Sequence, residues 1–316
     1  MPATIVVIGS ANTDLVVRVP ALPRPGETIL GGTFASVGGG KGANQAVAAS
    51  RAGGRTTFVA ALGDDAFGRQ ARAALTAAGV DTAAVRHVTG CASGVALIVI
   101  DAAGENMIAV APGANDRLQP ADVDPARLHA ADAVLVQLEI PHDTVRHAVR
   151  LARGLGRRVI LNPAPARDLE PDLLRDVDCI TPNETEAAML TGIAVVDEAA
   201  AARAARRLLA AGPREVVVTL GSRGAVVATA AGCLLVPGHR VTAVDTVAAG
   251  DVFNGCLAVA RGEGDDLLDA VRFANAAAAI AVTRHGAQDS APTRADIDRF
   301  LRDHPSLPTP LPETEP

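Results

Sequence analysis

Short runs of β-branched and aliphatic residues alternate along this chain with longer stretches rich in Ala, Leu and Arg. The runs Thr4–Ile8, Thr56–Ala60, Ala133–Leu138, Arg158–Leu161, Asp178–Ile180 and Glu215–Leu220 read as strands. Several are apolar at successive positions instead of alternating, the pattern of parallel strands covered on both faces. Between them, Asn44–Ala52, Gly68–Ala78, Thr144–Leu155, Thr185–Leu190 and Glu198–Ala211 have helical composition, and Gly53, Gly79, Gly156, Gly192 and Gly212 stand where helices stop. The repeated strand–helix order predicts an α/β fold, doubly wound, with a mainly parallel sheet and helices on both faces.

Two stretches break this order. Leu15–Val37 and Ser93–Val110 hold strand-like segments (Thr28–Ser36, Gly94–Ile100, Met107–Val110) and a turn over Asp101–Asn106, with no helix between. They are too well patterned for loops and predict a small antiparallel sheet acting as a lid. One domain is expected over residues 1–304, with lid strands from about 15–37 and 93–110. The five prolines between Pro305 and Pro316 predict an extended, loosely attached tail.

Composition removes several classes of function. The 316 residues carry 29 Lys+Arg against 35 Asp+Glu, a net charge of -6. That length supports a large core, and the acidic balance without a basic run leaves no footprint for nucleic acid. Six Phe with no Trp or Tyr leave little for base stacking. No apolar stretch is long enough for a membrane span, and Met1–Ile8 lacks the basic start and cleavage site of a signal peptide. Cys91, Cys179, Cys233 and Cys256 lie far apart without CxxC spacing, so a disulfide framework or zinc site is not expected. A reducing cytoplasm fits best.

Chemistry concentrates in two loops. Gly38-Gly39-Gly40-Lys41-Gly42 resembles a phosphate loop, but Ala35 and Gly42 stand where a Walker motif requires Gly and Ser or Thr. The loop is either a tight turn before a helix or a close backbone approach to a ligand. Lys41 is the only lysine in the chain, and Asn44 offers either a helix start or a bidentate amide for vicinal hydroxyls. The second loop runs from a strand expected at Val241–Val244 through Asp245–Asp251 into a helix over Val252–Val259. Small residues before a helix leave N–H groups free to bind an anion. Asp251 in that turn is a helix-start carboxylate or a base that takes a proton from a hydroxyl attacking phosphate.

Together with Asn12-Thr13-Asp14, Gln137-Leu138-Glu139-Ile140-Pro141, Thr181-Pro182-Asn183-Glu184 and Thr219-Leu220-Gly221-Ser222-Arg223-Gly224, these loops resemble the ribokinase family of carbohydrate kinases, the PfkB class. The resemblance spans Ile5 to about Thr293. It implies a ribokinase-like fold and phosphorylation of ribose at O5 by ATP. It also implies sugar contacts from Asn12, Asp14, Gly39, Gly40, Lys41, Gly42, Ala43, Asn44 and Glu139, with Asp251 as general base. The amides of Ala248, Ala249 and Gly250 are implied as the anion hole. ATP contacts follow at Asn183, Thr219, Leu220, Gly221, Ser222, Arg223, Gly224, Gly250 and Asn275. Glu186, in an Asn-x-x-Glu element, is implied to hold magnesium through water, with a helix cap at Asn183 as the other reading. A potassium site is implied at Asp245, Val247, Ala281, Arg284, Gly286 and Ser290, whose oxygen donors suit a hard cation. Relatives pair lid strands across an interface, so the resemblance also implies a homodimer. Two departures stand out: Cys256 where the family has Ala or Gly, and Asn275 where some relatives have His.

Overall fold

A computed structural model describes residues 2–311. In chain order the elements are β1 (Thr4–Ile8), β2 (Asn12–Arg18), β3 (Thr33–Gly39), α1 (Lys41–Arg51), β4 (Arg55–Gly63), α2 (Ala66–Ala77), β5 (Val85–Val88), β6 (Gly94–Ile100), β7 (Asn106–Ala111), α3 (Pro125–His129), β8 (Ala133–Val136), α4 (His142–Gly154) and β9 (Arg158–Leu161). There follow α5 (Pro171–Arg175), β10 (Cys179–Ile180), α6 (Glu184–Thr191), α7 (Glu198–Ala210), β11 (Glu215–Thr219), β12 (Gly224–Thr229), β13 (Gly232–Pro237), α8 (Ala249–Glu263), α9 (Leu267–Ala281), α10 (Arg294–Asp303) and β14 (Thr309–Pro310).

The large sheet has the order β14-β13-β12-β11-β10-β9-β8-β1-β4-β5. From β5 to β11 neighbouring strands run parallel, and β12, β13 and β14 continue it antiparallel. Along β1, Ile5 and Val7 enter a core with α1, α8 and α9, while Val6 and Ile8 enter a second core with α4 and α7. Side chains that alternate between two covered faces explain the unbroken apolar run. Each such Val or Ile removed from water contributes about 1.5–3 kcal/mol. Strand order reverses at β1, which has β4 on one side and β8 on the other. Ligand sites in doubly wound sheets form beyond the strand C-termini at such a switch point.

Helices α1 and α8 pack closely above this point. A Cβ on Gly255 would lie 2.5 Å from the Gln45 carbonyl oxygen and 2.8 Å from Ala48 Cβ, so only glycine permits the approach. Among the described residues no helix is long and apolar enough to cross a membrane. All four cysteines are free thiols.

The structure corrects four expectations. The lid is a four-stranded sheet of order β3-β2-β6-β7, but β2 and β6 pair parallel, so it is mixed and not antiparallel. The reason is that β2 and β6 continue beyond β1 and β5, which run in the same direction in the main sheet. The first lid hairpin returns over Thr33–Gly39 and not over Thr28–Ser36. Val241–Val244 is not a strand: the amides of Val244 and Asp245 both donate to the Val282 carbonyl, at 2.7 and 3.2 Å, and tie the segment to the end of α9. The tail is anchored at Thr309–Pro310, which pair with Leu235 and Leu234 of β13, while residues 312–316 lie outside the described residues.

Candidate active site

The loops after β1, β8, β9, β10 and β11 converge with the N-termini of α1 and α8. Asp251 sits buried in the first turn of α8. The Asn44 amide Nδ2 donates to its Oδ2 at 3.0 Å, and Gln45 Nε2 donates to its Oδ1 at 2.9 Å. Asn44 Oδ1 is buried without a partner among the described residues, an acceptor open to a ligand hydroxyl. Glu139 Oε2 accepts from Ser10 Oγ at 2.5 Å and from the Lys41 amide at 3.1 Å, which locks it beside the glycine loop. Asn12 Oδ1 accepts from Asn115 Nδ2 at 2.7 Å. Asp14 lies over Gly39, where a Cβ would collide with its carboxylate.

This half of the site is acidic around one cation. Burial, with Glu139 and Asp251 nearby, pushes Asp14 up to about 6 against the pull of Lys41. Burial likewise raises Asp251, opposed by Lys41 and by the amide donors of Asn44 and Gln45. Burial alone would lower Lys41, but Asp251, Glu139, Glu186 and Asp14 outweigh it, and the ammonium is held above its ordinary value. Glu186 is raised by burial, against the Asn183 amide and Lys41. Asn183 and Glu186 form a reciprocal cap of α6: Glu186 N donates to Asn183 Oδ1 at 2.8 Å, and Asn183 N to Glu186 Oε2 at 2.9 Å.

On the other side of α8 lies a cavity of about 470 Å³. Thr219, Gly221, Ser222, Gly224, Gly250 and Asn275 line it, with His239 and Phe253. Two expected contacts are turned away. Leu220 is buried beneath the loop. Arg223 points to Glu184 and, at 3.2 Å, to Glu198, because two carboxylates on α6 and α7 outcompete an open cleft. Asn275 directs its amide donor at the carbonyls of Val236 and Pro237 at 3.2 and 3.4 Å.

Between the two halves, Ala248 adopts the left-handed conformation at φ 60° and starts α8. Its carbonyl accepts from Val252 N at 2.9 Å, and Ala249 N closes a turn on Thr246 at 3.3 Å. The amides of Ala248, Gly250 and Asp251 make no hydrogen bond to the described residues, whereas that of Ala249 is taken up by the turn. Helix dipole and exposed N–H together suit an anion. Nearby, Asp245 Oδ1 accepts from Val247 N at 3.0 Å and Oδ2 from Gly286 N at 3.1 Å, which clamps the two loops together. Ala281 O accepts from Arg284 N at 3.0 Å, and buried Ser290 donates to Ala287 O at 2.8 Å.

The sequence points to Asp251 but assigns no role to the side chains behind it, although Gln45 and Thr181 lie in the family motifs. Gln45, Asn162, Thr181 and Asn254 are buried polar residues joined to it or to Gly250 by hydrogen bonds. A local signal existed only for Asn254, one helical turn after Gly250.

A carboxylate at a helix N-terminus, set between a polar loop and a nucleotide-sized cleft at the switch point of a doubly wound sheet, defines a small-molecule kinase. The chain belongs to the pfkB family of carbohydrate kinases, whose model matches residues 2–294. It is 42% identical over 303 residues to the ribokinase of Haemophilus influenzae, covering 95% of this chain and 99% of that one. It is 38% identical over 300 residues to a deoxyribokinase of Salmonella typhimurium, covering 94% and 98%. The structure of Arabidopsis thaliana ribokinase complexed with ribose and ATP superposes with a TM-score of 0.89 at 33% identity, covering 96% and 99% of the two chains.

Proposed function

We propose that the chain transfers the γ-phosphoryl group of ATP to O5 of D-ribose, giving D-ribose 5-phosphate and ADP. The observation that carries this reading is the buried Asp251 carboxylate, held by Asn44 and Gln45 between the sugar-side loop and the cavity. Ribose hydroxyls bind Asn12, Asp14, Asn44, Glu139 and the backbone of Gly39–Ala43, which brings O5 to Asp251. The O5–H proton passes to Asp251, O5 bonds to the γ-phosphorus, and the bond to the bridging β–γ oxygen breaks. The free amides of Ala248 and Gly250, joined by that of Asp251, face the charge that develops on the transferred group, with Ala249 closing the turn. Thr219, Gly221, Ser222, Gly224 and Asn275 wall the nucleotide.

Glu186, held by the Asn183 amide, suits a magnesium ion bound through water. Magnesium neutralises phosphate charge when bound. Asp245 and Ser290, with the carbonyls of Val247, Ala281, Arg284 and Gly286, form an oxygen-only set on loops that Asp245 already clamps, which fits potassium. A cation there stiffens the loop that carries the anion hole. Phe34, Leu97, Met107, Ile108 and Val110 are exposed on the lid, which supports a homodimer formed through it. Four free thiols far apart in the chain fit a reducing compartment and support a cytoplasmic enzyme.

The test is ADP release from ATP and magnesium with ribose, deoxyribose, fructose and adenosine, in potassium and in sodium. Ribose turnover that needs potassium is the expected result. Faster turnover of deoxyribose would overturn the sugar assignment and keep the role of Asp251. No turnover of any acceptor would overturn the enzymatic reading.

A further inference from the structure

The general base and the anion hole are joined by one buried chain of side-chain hydrogen bonds. Gln137 Nε2 donates to Gln45 Oε1 at 2.5 Å. Gln45 Nε2 donates both to Asp251 Oδ1, at 2.9 Å, and to Asn162 Oδ1, at 3.0 Å. Asn162 Nδ2 donates to the Thr181 carbonyl at 3.2 Å, and Thr181 Oγ1 donates to Asn254 Oδ1 at 2.6 Å. Asn254 Nδ2 then donates to the Gly250 carbonyl at 2.8 Å. All five side chains are buried, and they come from α1, α8 and the C-terminal ends of β8, β9 and β10. Gln45 is oriented by its partners, because flipping it would set an oxygen against two acceptors, while Gln137 Oε1 is buried without a partner among the described residues.

We propose that Gln45 and Asn254 are positioning residues that align proton acceptance and charge stabilisation at opposite ends of this chain. At one end Gln45 and Asn44 each hold one oxygen of Asp251, so the carboxylate cannot rotate. At the other end Asn254 holds the Gly250 carbonyl, which belongs to the same planar peptide unit as the Asp251 amide. In a trans peptide the N–H points opposite to the C=O. Fixing the carbonyl toward Asn254 therefore aims that N–H out of the helix, toward the arriving phosphoryl group. Buried chains of this kind rigidify a site when every link is satisfied. The inference rests on the kinase reading, but it concerns side chains that need touch neither substrate.

The two ends predict different signatures. Gln45 donates to the ionised form of Asp251, so its loss raises the carboxyl pKa and moves the acid limb of the kcat–pH profile upward. The charged groups that face Asp251 are Lys41 on α1, Glu139 after β8, Asp14 on β2 and Glu186 on α6, and none of them changes in these variants. Asn254 bonds the backbone and not the carboxylate, so its loss lowers kcat without moving the limb.

The experiment compares Gln45→Met, the isosteric Gln45→Glu and Asn254→Leu in the full chain, by kcat and KM against pH. The carboxyl-carbon NMR titration of Asp251 runs alongside and needs no substrate. Each variant should lose about ten- to a hundredfold in kcat, the usual effect of a supporting partner, with ribose KM within about threefold. Both Gln45 variants should raise the Asp251 titration by about one pH unit or more, and Asn254→Leu should leave it in place. An unmoved titration in folded Gln45→Met, which adds no charge beside Asp251, overturns the proposal, as does Asn254→Leu shifting it equally. If wild type turns over no ribose, the substrate reading fails, and the NMR titration still decides the role of Gln45.

Discussion

The two halves of the site are made of different material. On the sugar side, Asn12, Asn44, Glu139 and Asp251 are buried or half-buried side chains, each held by a partner far away in sequence. On the nucleotide side glycine and alanine make up much of the cavity wall, Asn275 is committed to two carbonyls and Arg223 turns to α6 and α7, which leaves His239 and Arg240 as the longer polar side chains on the wall. A pocket of fixed donors and acceptors rejects a ligand lacking a hydroxyl, because buried groups are then left unpaired. A pocket of backbone and small residues selects by shape and tolerates side-chain change. Selectivity for the acceptor should therefore be sensitive to single substitutions, and affinity for the nucleotide should be blunt.

The largest expected effect is at Asp251. Asp251→Asn keeps the shape and the contact to Asn44 but removes the proton acceptor. kcat should fall by about 10²–10⁴ while ribose affinity by calorimetry stays within about threefold. Turnover near wild type would break the assignment and the comparison with it.

Two glycines only five positions apart sharpen the contrast. Gly255→Ala places a methyl 2.5 Å from the Gln45 carbonyl and 2.8 Å from Ala48 Cβ, prising α1 from α8 and drawing Asn44 and Gln45 away from Asp251. It should cost about 1–3 kcal/mol in thermal or urea unfolding, together with most of the activity. A Cβ on Gly250 meets nothing within 4 Å. Gly250→Ala should leave the melting temperature unchanged and weaken turnover only, since the methyl enters space that the phosphoryl group needs. Equal melting losses in the two variants would show that the close approach of α1 and α8 is not what sets the cost at Gly255, because helix propensity alone favours alanine at both positions.

Asp14 offers a smaller effect with a definite sign. Its folded-state pKa is raised to about 6, so the folded protein binds the proton more tightly than the unfolded chain does. Stability present below the ordinary carboxylate value is lost as pH rises through about 6. Asp14→Asn removes that loss, so without sugar it should melt above wild type at about pH 7.5, and the gap should close toward about pH 4. Its ribose KM should rise about tenfold, the loss of one charged hydrogen bond. A variant no more stable at neutral pH would show that Lys41 already compensates the carboxylate.

How much of this was legible depends on whether the information is local. β1 and β9 begin and end where the apolar runs do, because strands covered on both faces carry their burial in the run itself. α1 starts at Lys41, not at Asn44, and α8 at Ala249, not at Val252, since the binding loops are the first helical turns and their glycines and alanines look irregular in sequence. Val241–Val244 has strand composition yet finds only a helix-end carbonyl. The bond from Gln45 to Asp251 spans 206 positions, and no periodicity encodes it. Asp14 and Glu139 carry a role through the family motifs, whereas Gln45 and Gln137 stand in the same motifs without one, and Asn162 and Asn254 stand outside them.

The smallest effect should fall on the nucleotide side, at Arg223. In the family motif this residue stands among the ATP contacts, but here it faces Glu184 and Glu198 across α6 and α7, with about a third of each side chain exposed. Partly exposed pairs of this kind contribute about 0–1 kcal/mol. Arg223→Ala should therefore lower the melting temperature slightly and change KM for ATP by less than about threefold. The ion pairs are also screened, so the small stability difference from wild type should shrink further in about 1 M salt. A tenfold rise in KM for ATP would mean that the guanidinium leaves Glu184 and Glu198 when nucleotide arrives. The nucleotide half would then, like the sugar half, depend on side chains that reach the ligand, Arg223 joining the cavity-lining Arg240, and the contrast between them would not hold.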